Sequence, residues 1–165
     1  MDLITDLGYR ALASRLKRLG ERLQEAASEV YSEQEVSFRA RWFPLLIALE
    51  RESPQPISRL AATIGLTHTA IAQIGAEMAD EGLVRSGSDP RDGRRRPFSL
   101  TAKGKRTLKQ LQPLLAAIER ATVELVAESG HDLLAAVAAV EERLAVQPAT
   151  ARMRAALEVR TPSKT

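Results

Sequence analysis

Cysteine is absent from these 165 residues. That excludes a disulfide framework, a thiolate zinc site and a thiol-based redox switch. The two histidines, His68 and His131, lie too far apart to suggest a local metal site, and no metal is expected. Aromatic residues make up only 4%, while Ala and Leu abound. This balance favours helices, because Ala and straight-chain residues lose little entropy there, whereas aromatic and β-branched residues suit strands. No run of 18 apolar residues occurs, so no membrane span is expected. Residues Met1–Asp6 lack the basic start and apolar core of a signal peptide, making the cytoplasm the expected location. No nucleophile–base–acid set, glycine-rich phosphate loop or metal-ligand spacing is found; neither an enzyme nor a cofactor is expected. There is no internal repeat and no low-complexity segment.

What is present is an ordinary globular balance, 44% hydrophobic and 27% charged, in a chain long enough for one domain with helical extensions. The net charge is only +3, but its distribution is uneven. Residues 85–106 hold Arg85, Arg91, Arg94, Arg95, Arg96, Lys103, Lys105 and Arg106 against Asp89 and Asp92, which is +6 and leaves −3 for the rest. Such concentration points to a polyanionic partner, with a solvated loop as the plainer alternative.

Near the N-terminus, Leu12, Leu16, Leu19, Leu23, Ala26 and Val30 form a heptad-type apolar seam on a helix that needs a partner surface. Ser37 is placed to cap a second helix reaching about Glu52, with Trp42, Leu45, Leu46 and Leu49 buried. Pro44 makes that helix start late or kink. Ser53-Pro54-Gln55-Pro56 is a stop. Residues Ile57–Ile64 read as a short helix, Gly65 as its left-handed turn, and Thr67 or Thr69 as the cap of a third helix to about Asp80 with Ile71, Ile74 and Met78 inward. Helix, glycine turn and capped helix make a helix-turn-helix pattern. Leu83–Ser86 and Pro97–Leu100 follow as two short strands, with Phe98 and Leu100 on one face and the basic cluster on the hairpin between them. A long helix from Thr101 to about Ser129 comes next, with Pro113 expected to kink it. Further helices are expected over 131–146 and about 150–160, and the last five residues are expected to fray.

These residues resemble the multiple-antibiotic-resistance regulator (MarR) family over roughly residues 10–145. The likeness is sharpest at Gly65-Leu66-Thr67…Ile71…Met78…Glu81-Gly82-Leu83-Val84, then Asp89-Pro90-Arg91-Asp92-Gly93-Arg94 and Leu100-Thr101…Gly104. It implies a mainly α fold with a small β-hairpin wing. A winged helix-turn-helix lobe, residues 35–103, would be flanked by an N- and C-terminal helical dimerisation region, 1–34 and 104–165, in a single domain. It also implies a triangular homodimer on duplex DNA, acting on a pseudo-palindromic operator. Many relatives are repressors relieved by small, often aromatic or anionic, ligands; whether this chain has such an effector is left open. Independently of the family, apolar seams at both chain ends exceed what the lobe can cover. Pairing with a second copy would bury them, as would an intramolecular bundle.

In such a complex the helix from Thr67 to Asp80 enters the major groove by its N-terminal half, presenting Thr67, His68, Thr69, Ala72 and Gln73. It has no Arg or Lys, and Glu77, Asp80 and Glu81 make its far end acidic. Guanine readout by Arg is thus absent. Gln73 suits adenine, and the methyls of Ala72 and Thr69 suit thymine, so an A·T-leaning half-site is expected. The plainer alternative is that Thr67 and Thr69 only cap and His68 is solvated. Arg94 is the candidate for the minor groove, oriented by Asp92 as the family positions imply. Arg95, Arg96 and Arg59 are candidates for phosphate contacts. Arg91 with Asp89 reads better as an ion pair bracing the wing. A ligand site is expected near Arg10, Arg41 and Trp42, although Trp42 reads more readily as core. The competing function is a winged helix that docks its basic wing on an acidic protein.

Overall fold

The computed structural model describes residues 2–87 and 97–158. The chain divides into two compact units, Met1–Ile118 and Glu119–Thr165.

The first unit opens with helix α1 (Leu3–Asp6), capped by Asp2. The Asp2 carboxylate also accepts from the Arg18 guanidinium at 2.9 and 2.6 Å, which ties this turn to α2 (Leu12–Glu33). The heptad steps of the sequence appear as one exposed seam: Leu12, Leu16, Leu19, Leu23 and Val30 are 36–50% exposed. Of α2 only Tyr31, near its end, is buried.

The next helix starts late, as Pro44 allows, and lacks the cap expected for it. Ser37 does not cap it; the Ser37 hydroxyl donates to Glu81 Oε2 at 3.3 Å. A 3-10 turn, Ala40–Trp42, leads into α3 (Phe43–Arg51), with Pro44 in its first turn. Proline lacks the N–H that this position would leave unpaired anyway, so it starts the helix rather than bending it. α4 (Ile57–Ile64), the turn at Gly65 and α5 (His68–Asp80) follow. Gly65 has φ +77°, a conformation in which a side chain would be strained. The core gathers Leu45, Leu46, Leu49, Leu60, Ile71, Met78, Leu83 and Leu111, each 1% exposed or less. Each such side chain contributes about 1.5–3 kcal/mol through removal from water.

Strands β1 (Val84–Ser86) and β2 (Phe98–Leu100) pair antiparallel, Val84 opposite Leu100 and Ser86 opposite Phe98. The expected shared face is present: Phe98 and Leu100 are both buried. On the free edge of β2, Gln55 exchanges backbone bonds with Phe98 at 3.0 and 2.9 Å. The segment read as a stop therefore also extends the sheet. The Phe98 ring lies where a Cβ on Gly75 would be, which seats the hairpin against α5. α6 (Ala102–Glu128) begins under Thr101, whose Oγ1 accepts from Gly104 N–H at 3.0 Å and donates to Gly82 O at 2.7 Å. Gly104 meets the Leu83 carbonyl closely enough to exclude any side chain. The Leu-Thr-x-x-Gly spacing thus joins hairpin to helix. α6 runs through Pro113 without interruption.

The second unit holds the end of α6, then α7 (Leu133–Val146), capped by Asp132 through Ala135 N–H at 2.9 Å, and α8 (Ala149–Glu158). Arg152 donates to Gln147 O and Arg143 O at 3.1 and 3.0 Å, closing α7. No residue of α7 or α8 is buried. Leu134, Val140, Val146, Met153 and Leu157 are 57–81% exposed.

Candidate nucleic-acid interface

Two local signals hold α5 in place. Thr67, extended at φ −69° and ψ 154°, caps the helix by accepting from Ala70 N–H at 3.1 Å. Ile71, Ile74, Gly75 and Met78 face the core. The opposite face is left outward: Thr67, His68, Thr69 and Gln73 are exposed, and Ala72 is half-buried. Among the five residues expected to meet bases, then, all lie on one accessible surface at the helix start, with backbone N–H groups beside them.

Arg59, on α4, is exposed and pairs with Glu52 Oε1 at 2.6 Å. A pair of this kind between exposed groups is worth little. On the hairpin, Arg85 donates to Ser99 Oγ at 3.2 Å, and Gly87 N–H donates to Pro97 O at 2.8 Å. Asp92, Arg94, Arg95 and Arg96, and the Asp89–Arg91 pair, lie outside the described residues. Lys103, counted in the basic cluster, is employed in the fold: its ammonium donates to Glu81 O at 2.6 Å, at the end of α5 where cations are favoured.

The acidic end of α5 is only partly a solvent face. Glu77 Oε2 accepts from Trp42 Nε1 at 2.9 Å and forms an ion pair with Arg41. The indole N–H first, then the adjoining guanidinium, hold the Glu77 carboxyl below its ordinary range against the opposing effect of burial. Its Oε1 faces Gln73 Nε2 at 3.5 Å. Sequence reasoning placed Glu77 at the acidic end of the helix but missed its partners, and it missed Gln55, whose side-chain nitrogen donates to Ala48 O and Glu52 O at 2.9 and 2.7 Å.

Trp42 is 2% exposed and belongs to the core. Phe38 meets its ring at 88° with centroids 5.7 Å apart, and the Arg39 guanidinium sits 5.5 Å from its centroid. It therefore offers no open platform to a ligand. Arg41 does border open space: with Arg39, Ser28, Glu21, Glu25 and Glu29 it lines a groove of about 580 Å³ beside α2. Arg10 is exposed on the turn Gly8–Ala11 and is not part of that lining. Among the described residues no cluster of His, Asp or Glu suited to a metal ion occurs, and no helix is long and apolar enough to cross a membrane.

No protein-family sequence model matches the chain, and no curated protein matches it. Solved structures do. The PcaV transcriptional regulator from Streptomyces coelicolor, in complex with its natural ligand, is 25% identical with a TM-score of 0.64, over 89% of this chain and 96% of that one. The transcriptional repressor CouR, bound to a 23-mer DNA duplex, is 24% identical with a TM-score of 0.63, over 82% of this chain and 96% of that one. A MarR-family transcriptional regulator from Rhodococcus is 20% identical with a TM-score of 0.55, over 88% of this chain and 96% of that one. This chain has the MarR winged-helix fold. Within the MarR fold, α4 and α5 are the helix-turn-helix, β1 and β2 the base of the wing, and α2 and α6–α8 the helices outside them. These neighbours are transcription regulators rather than enzymes.

Proposed function

We propose that the chain is a sequence-specific duplex-DNA-binding transcription regulator, acting as a homodimer on a pseudo-palindromic operator, with repression relieved by a small molecule as its mode of action. The observation that carries this reading is the accessible start of α5, which presents Thr67, His68, Thr69, Ala72 and Gln73 beside a hairpin whose connecting sequence is rich in Arg. CouR on its duplex and PcaV with its ligand support the same reading by likeness of fold. Gln73 reads adenine, the Thr69 and Ala72 methyls meet thymine, and Arg59, Arg95 and Arg96 contact phosphates. Arg94, oriented by Asp92, enters the minor groove. Residues 1–34 and 104–165 form the dimer region around the lobe 35–103. The seams of α2 and of α7 with α8 support it, since apolar surface on both favours a second copy. The groove bordered by Arg39 and Arg41 takes a small effector, whose charge the mixed lining of these arginines with Glu21, Glu25 and Glu29 does not dictate; Arg10, expected at the ligand site, lies outside that lining, and Trp42 belongs to the core.

Anisotropy titration of a labelled duplex across a salt series tests this. Affinity is expected to fall steeply with salt as counterions are released. Arg94→Ala is expected to weaken specific binding by about 1–3 kcal/mol with dimer content unchanged. No binding at low ionic strength, or capture of an acidic protein instead, would overturn the proposal.

A further inference from the structure

A carboxylate beside a base-reading side chain is an unexpected neighbour for a polyanion, and its geometry suggests what it does there. We propose that Glu77 is a positioning residue that decides which end of the Gln73 amide faces the DNA, and so which base is read; the inference rests on the DNA-reading function proposed above. Glu77 sits one helical turn after Gln73, at the i,i+4 spacing where side chains meet. Its Oε2 is occupied twice, by the Trp42 indole N–H at 2.9 Å and by the Arg41 guanidinium. Both donors come from the turn before α3, and Trp42 is fixed by the core. The carboxylate is therefore anchored from outside its own helix, and Arg41 offsets its charge. Only Oε1 remains, facing Gln73 Nε2 at 3.5 Å.

The orientation of the Gln73 amide follows from the chemistry of donors and acceptors. A carboxylate oxygen only accepts, so it takes the amide nitrogen and repels the amide oxygen. With one N–H turned towards Glu77, Gln73 keeps its carbonyl oxygen and its second N–H for a base edge. That pair is what adenine requires, an acceptor for the N6 amino group and a donor for N7. Without the anchor the amide is free to turn over and present its donors where the acceptor stood. Arg41 and Trp42 thereby contribute to base choice without touching a base.

E77Q separates this role from simple stabilisation. Trp42 and Arg41 still require an acceptor, so the oxygen of the introduced amide takes the place of Oε2 and its nitrogen faces Gln73. Gln73 must then turn its own oxygen inward and offer N–H groups to the DNA. Selection of bound duplexes from a random pool reads the outcome, with Q73A identifying the base pair concerned and Trp fluorescence confirming the fold. E77Q is expected to lower the adenine preference at that one pair by about tenfold in favour of guanine or thymine, leaving the preference at the other positions unchanged, while the loss of one negative charge raises affinity for all duplexes alike. In the Q73A background E77Q is expected to change base preference no further. An unchanged adenine preference in E77Q would overturn the proposal. So would an equal effect of E77Q on base preference with and without Gln73, or a Q73A protein that selects the same site as the wild type. A wild-type protein that selects no duplex would instead refute the underlying DNA-reading function. Should E77Q not fold, R41M leaves Glu77 held by Trp42 alone and is expected to broaden the preference at the same pair; unaltered selection by R41M would count against the idea equally.

Discussion

Single residues in this chain draw their roles from partners far away in sequence. Glu77 is the clearest case: the Trp42 N–H and the Arg41 guanidinium hold its carboxyl below the ordinary value of 4.5. A carboxyl depressed in the folded state adds stability above its unfolded value, and that stability is lost as pH falls through the folded value. Urea denaturation of wild type and E77Q from neutral pH to below pH 4.5 checks this. The wild-type advantage is expected to be full near neutrality and to shrink once the pH drops below about 4.5. A gap that stays constant with pH would show that the carboxylate charge plays no part. Such partnerships were not legible in the sequence. Trp42 lies 35 positions from Glu77, and Ser37 lies 44 from Glu81, so no local spacing announces them. Thr67 and Gly65 were legible because a cap and a left-handed turn are decided within four residues.

At the scale of elements, the helix-turn-helix and the hairpin act as one body because Phe98 occupies the space a side chain on Gly75 would need. Gly75→Ala is expected to push the ring aside and destabilise the lobe by about 1–3 kcal/mol, despite the better helix propensity of Ala. A thermal melt of the variant measures it, and a rise in Tm would contradict the packing described. The alternation of Phe98 and Leu100 made the second strand readable, but the third partner at Gln55 was hidden behind two prolines that signalled only a break. The start of α3 was legible in part: Pro44 signals either a late start or a kink, and the late start is what forms, because proline in the first turn costs no hydrogen bond.

For the whole molecule, the account depends on apolar surface that each unit leaves outside its own core. Leu16 and Leu19 of α2 are 50% and 41% exposed, and α7 and α8 bury nothing. A charge at Leu16 or Leu19 is therefore expected to leave the lobe folded, as its core lies elsewhere, while abolishing the proposed dimer. Light scattering with Leu16→Glu reads this directly; an unchanged mass would remove the α2 seam from the interface. The MarR fold was legible chiefly through the Asp89-Pro90-Arg91-Asp92-Gly93-Arg94 and Leu100-Thr101…Gly104 stretches, and less through the Gly65 turn. In the second of these stretches backbone geometry dictates residue type, since Gly104 leaves no room for a side chain; the first lies outside the described residues. The most direct test of the central claim is selection of duplexes from a random pool by the wild-type protein. The account predicts enriched A·T-leaning half-sites, inverted and centred about one helical turn or a multiple of it apart. Enrichment of no sequence, or of single unpaired sites, would contradict it.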